Sequence, residues 1–83
     1  MPYIKQERRN DVIPTHRNGA RNIGELNYAL TNLILDYLNW NTTKNYDAYN
    51  SIIGVLGCIQ QELYRRLVAP YEDIKIKENG DVY

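Results

Sequence analysis

Few residues of this chain are equipped for chemistry, and most of those are arginines and tyrosines. The sole histidine, His16, has no second histidine or cysteine at ligand spacing, which argues against zinc, and no metal site is expected. Cys58 is the only cysteine. It falls inside a helical stretch and reads as a buried structural thiol rather than a nucleophile. The chain carries no G-x-S-x-G, no P-loop and no G-x-G-x-x-G. No pair of carboxylates is singled out by its spacing. The expectation is a protein that is not an enzyme and uses no cofactor.

Anion binding has more to support it. "THRNGARN", residues 15 to 22, sets His16, Arg17 and Arg21 around Gly19, just ahead of a helical stretch. Backbone N–H groups and the dipole at a helix N-terminus favour a phosphate, and arginines clamp one. Taken alone, the same residues suit an ordinary solvated basic loop better. "QERR" adds Arg8 and Arg9, and "YRR" adds Tyr64, Arg65 and Arg66. With Tyr3 and Tyr28 these form the candidate ligand set, Arg for phosphates and Tyr for bases.

Those residues need elements to position them. Eighty-three residues make one small domain, 43% hydrophobic and 24% charged, with formal net charge zero. No apolar run is long enough for a membrane span, and "MPYIKQERRN" lacks the apolar core of a signal peptide, so a cytoplasmic setting is expected. Zero net charge offers little nonspecific attraction for nucleic acid, which is disfavoured as a partner. The charge is also uneven. Residues 1–22 hold five Lys/Arg against two Asp/Glu, and residues 70–83 hold four Asp/Glu against two Lys, so a basic head and an acidic tail are expected to attract. Eight Tyr, one Trp and no Phe suit wet interfaces better than a dry core.

After a basic segment (1–21), hydrophobic periodicity predicts two long helices, 22–39 and 46–69. Asn22 as N-cap with Glu25 three residues on reads as a capping box. Ile23, Leu26, Leu30, Leu33, Ile34 and Tyr37 mark one buried face, with Tyr28 and Leu35 pointing elsewhere as a second contact surface. The second helix carries Tyr49, Ile52, Ile53, Leu56, Ile59, Leu63 and Leu67 as its core stripe, and Pro70 is expected to end it. Gly54 and Gly57 on another line of that helix predict a close approach by a second helix or a ligand. The remainder, 70–83, holds alternating Ile74 and Ile76 and then Asn79-Gly80, a pattern that predicts a short β-hairpin or extended arm. Tyr71, Asn79, Gly80 and Tyr83 are its expected docking contacts. Two antiparallel helices enclose no core, and no disulfide or metal helps. The fold class expected is therefore mainly α: two long antiparallel helices in a homo-oligomeric bundle, with the hairpin or arm docked on it.

"MPYIKQ", "GELNYALT" (24–31), "IIGVLGC" (52–58) and "ELYRRLVAPYEDIKIKENGDVY" (62–83) resemble a family of short, uncharacterised proteins found mainly in bacteriophages and prophages. Its members have a helix in the region of Asn10 to Asn22. Here Pro14 and "RNGAR" read as a loop. The resemblance implies a viral setting and a non-enzymatic accessory role. In size, helicity and Arg/Tyr usage alone, the chain is similar to phage sponges that sequester cyclic nucleotides of antiviral signalling. The functional expectation is a homo-oligomer that sequesters a small phosphorylated ligand. The alternative is a protein-binding accessory that inhibits a host protein or assists phage assembly.

Overall fold

A computed structural model describes residues 3–12, 19–41 and 43–83, with side chains for 3–9, 19–41 and 43–83. Three helices occur among the described residues, and no strand. They are α1 (Gln6–Val12), α2 (Ile23–Asn41) and a continuous 34-residue helix. That long helix consists of α3 (Tyr46–Leu63), one π-helical turn (Tyr64–Val68) and α4 (Ala69–Asn79). No helix among the described residues is long and apolar enough to cross a membrane. The chain divides into two units, 2–52 and 53–83, with the boundary inside α3.

In the first unit, local capping sets the helix limits. The backbone N–H of Glu25 donates to Asn22 Oδ1 at 2.9 Å, and Glu25 Oε1 accepts from the Arg21 N–H at 3.0 Å. The expected capping box is present, shifted so that the glutamate reaches one residue further back. Asn45 does the same for α3, accepting from the Ala48 N–H at 2.9 Å. The basic head is not wholly irregular, because α1 forms there. Its first turn is closed by the Arg8 N–H on the Lys5 carbonyl, and Arg9 Nε holds the Ile4 carbonyl at 3.1 Å. The loop expected at Pro14 lies outside the described residues.

The long helix overturns two expectations. Pro70 does not stop it. A proline in a regular helix lacks the N–H for its own bond, and its ring strikes the carbonyl four residues back. Here the preceding turn is wide, with the Ala69 N–H bonding the Tyr64 carbonyl five residues back. Pro70 then sits in the first turn of α4, where no donor is required of it.

Nor do residues 74–83 form a hairpin. Once α3 exists, each added residue gains a hydrogen bond without a new nucleation cost, whereas an isolated two-stranded hairpin is marginal. Lys75 supports α4 with an ion pair to Glu78 at 3.1 Å, its ammonium 5.6 Å from the Tyr71 ring centroid. Asn79-Gly80 serves as a helix stop instead of a strand reversal. Gly80 has φ +89° and its N–H closes the last turn on the Ile76 carbonyl at 2.8 Å. Gly80→Val should therefore fray α4 and cost about 1–2 kcal/mol, because L side chains adopt positive φ only with strain. Amide exchange at residues 76–80 reads this directly, and unchanged protection would show that the cap is dispensable.

The expected core faces are not buried within the chain. Leu38, absent from the expected stripe, is the one buried residue among those described, at 7% exposure. Ile34, Ala48 and Ile52 are half-buried. Ile23, Leu26, Leu30, Leu33 and Tyr37 of α2 are exposed, as are Tyr49, Ile53, Leu56, Ile59, Leu63 and Leu67 along the long helix. An amphipathic face is buried only where another layer covers it.

Candidate functional site

The second unit holds one built arrangement of polar groups. It begins with the π turn. Eight residues advance an α-helix by about 800°, leaving positions i and i+8 some 80° out of line. Absorbing one extra residue in a wide turn reduces the advance to about 700° and brings them within about 20°. Tyr64 and Glu72 are such a pair, and the Tyr64 hydroxyl donates to Glu72 Oε1. That hydrogen bond, then the negative charge of Glu72, raises the Tyr64 hydroxyl above the ordinary tyrosine range.

The link predicts a titration. A group whose folded pKa is raised stabilises the fold below its unfolded pKa and loses that contribution as pH rises through the folded value. Tyr64 should therefore ionise above the ordinary tyrosine range, the Tyr64–Glu72 link being intact at neutral pH and lost in strong alkali. Difference absorbance near the tyrosinate band, compared between the native chain and Tyr64→Phe, checks this. If the phenolate that Phe removes is an early-titrating one, the hydrogen bond does not persist in solution.

Around this pair lies an open groove of about 510 Å³, lined by Tyr64, Glu72, Asp73, Ile76 and the final residues Asp81 to Tyr83. The chain end is shaped by the Tyr83 N–H donating to Asp81 Oδ1 at 3.0 Å. Glu72, Asp73 and Asp81 outnumber Lys75 on this wall, so the groove favours cations and hydrogen-bond donors over phosphate. A second open groove of about 370 Å³ is lined by Gly57, Gln60, Gln61 and Tyr64. Among the described residues no cluster of three His, Cys, Asp or Glu is placed to hold a metal ion. Cys58 is exposed, contrary to the buried thiol expected from its helical position.

Residues 1–82 match the family described as Domain of unknown function (DUF6899). The chain belongs to that family. No curated protein and no solved structure matches it.

In this DUF6899 chain the candidate ligand residues are spread over both units. Tyr3, Arg8, Arg9, Arg21 and Tyr28 belong to the first, all exposed, and Tyr64, Arg65 and Arg66 to the second. His16 and Arg17 lie outside the described residues. Arg65 Nη2 is held by its own neighbour, 3.3 and 3.1 Å from the two Glu62 oxygens, which offsets its charge. Of the expected contact residues, Leu35 and Tyr71 are exposed apolar positions, Asn79 ends α4, Gly80 caps it, and Tyr83 is fully exposed. At Gly54 and Gly57 an added Cβ meets open space, so no neighbour among the described residues of the DUF6899 chain explains the glycines. Sequence reasoning missed the Glu72–Asp73 wall. Its signal was a Tyr and a Glu eight apart flanking a proline in a helical stretch. It also missed Trp40, 85% exposed at the end of α2, although it follows Tyr37 at helical spacing.

Proposed function

We propose that this DUF6899 protein is a non-enzymatic accessory that works as a homo-oligomer, a helical bundle shared between subunits, and acts by binding another protein. One observation carries the reading: the chain leaves its apolar helix faces open. On α2, Leu26, Leu30 and Leu33 are 46–52% exposed, and on the long helix Leu56, Ile59, Leu63 and Leu67 are 39–64% exposed. A surface of this kind is completed by association. The acidic groove beside Tyr64 adds a feature that suits a basic or donor-rich protein segment rather than a phosphate.

A second reading, sequestration of a cyclic nucleotide or related phosphorylated ligand, is favoured by the groove of Gly57, Gln60, Gln61 and Tyr64, which offers amide donors and a ring two residues before Arg66 in sequence. It belongs with the bacteriophage setting and host-cell cytoplasm that the sequence resemblance implies, where such capture counters antiviral signalling.

Sedimentation of the full chain at micromolar concentration tests the shared premise. A dimer or larger species is expected, and a folded 9.7 kDa monomer would remove both readings. Thermal shift against cyclic di- and trinucleotides then separates them. A ligand at 100 times its dissociation constant adds about 2.7 kcal/mol, and a shift of that size would replace the first reading with the second.

A further inference from the structure

The apolar residues of the long helix keep one register across the π turn. Tyr49, Ile52, Leu56, Ile59 and Leu63 succeed one another at steps of three and four, the a and d positions of a heptad. Leu67, Tyr71 and Ile74 resume the same alternation, but Leu67 comes one residue late, four after Leu63 where three is due. The π turn at Tyr64–Val68 sits at that junction. A single wide turn takes up one extra residue without rotating the helix beyond it, so the apolar line of α4 continues that of α3. Without it, Tyr71 and Ile74 would point about 100° away from the α3 stripe.

From this we infer that Leu63 to Ile74 form a seam that pairs antiparallel with the same seam of a second copy of this chain. The inference rests on the self-association proposed for this protein and specifies its geometry. Three observations select this occupant. First, α2 has 19 residues, about 28 Å, while the long helix has 34, about 51 Å, so α2 is too short to cover the whole line. Second, Leu63, Leu67, Tyr71 and Ile74 are each more than half exposed, so the line is open to a partner along its length.

Third, the charges flanking the seam complement themselves only in one direction. Glu62, which also holds Arg65 of its own chain, flanks it at one end and Lys77 at the other. Antiparallel pairing about residue 69 sets Leu63 against the partner's Ile74 and Leu67 against the partner's Tyr71. The same pairing puts Glu62 beside the partner's Lys77 at both ends. Parallel pairing would put like charge beside like at each end, which favours the antiparallel form.

The test uses the full chain carrying Cys58→Ser, Leu63→Cys and Ile74→Cys, oxidised and then cut by trypsin at Arg65 and Arg66. The two engineered thiols lie about 16 Å apart along one helix, too far to join within a chain. A 63–74 linkage between chains is expected, while either single-cysteine variant remains unlinked. Predominant 63–63 or 74–74 linkage, or none, overturns the seam. In the cysteine-restored chain, Glu62→Lys or Lys77→Glu should each weaken the dimer by roughly tenfold, and the double exchange should restore it. Failure of the double exchange to restore affinity overturns the antiparallel register. If wild-type sedimentation shows only monomer, the self-association reading itself fails. An oligomer lacking the 63–74 linkage removes this seam alone.

Discussion

Leu56→Asp should abolish self-association and most of the helical signal together. Leu56 is an apolar position on α3 that remains about two-fifths exposed, at 39%, in the single chain. A monomeric fold would barely register an aspartate at such a site, since exposed substitutions usually stay within about 0.5 kcal/mol. In an interface core the same change removes an apolar contact and buries an unpaired carboxylate, at a cost of roughly 3–5 kcal/mol or more. That is a loss of a hundredfold or greater in affinity. The native chain should show the companion behaviour: its melting temperature rises with protein concentration, because unfolding and dissociation are one event in an obligate oligomer. Circular dichroism melts over a thousandfold concentration range measure both. A concentration-independent melt with Leu56→Asp unaltered would mean that the exposed faces are simply solvated.

Insertion of one alanine after Arg65 should be nearly as damaging, whereas deletion of Arg65 combined with Pro70→Ala should be tolerated. The insertion adds a second surplus residue to a stretch that already absorbs one, rotating residues 67–79 by about 100° relative to α3. Leu67, Tyr71 and Ile74 would leave the apolar line, and Tyr64 would lose Glu72. The deletion restores unbroken heptad spacing through 63, 66 and 70 in the shortened numbering, and Pro70→Ala removes the ring that needs the wide turn, so that a regular α-helix suffices. Association weakened a hundredfold by the insertion and less than about fivefold by the deletion is the expected pattern. Sedimentation of the two variants measures it, with circular dichroism confirming that both remain helical. Equal losses would show that the wide turn serves only Pro70 and has nothing to do with register.

The local part of the structure was legible in the letters. Asn22 and Glu25 start α2, and Asn45 starts α3, because a cap needs only groups within three or four residues of one another. The positive φ at Gly80 was legible for the same reason, although the motif it serves was not. "NG" after alternating isoleucines describes a hairpin turn and a helix stop equally well, and only the continuity of the long helix chooses between them. The heptad spacing of the apolar residues was likewise present in the sequence.

It took the three-dimensional structure to show that Pro70 is crossed rather than obeyed, since a π turn is a cooperative adjustment of several carbonyls that no single residue type announces. The fold alone brought Tyr64 to Glu72, eight positions apart. It also decided which apolar residues are covered. Periodicity tells which side of a helix is apolar, but burial depends on what lies against that side. Within this chain that covering is complete at Leu38 alone among the described residues.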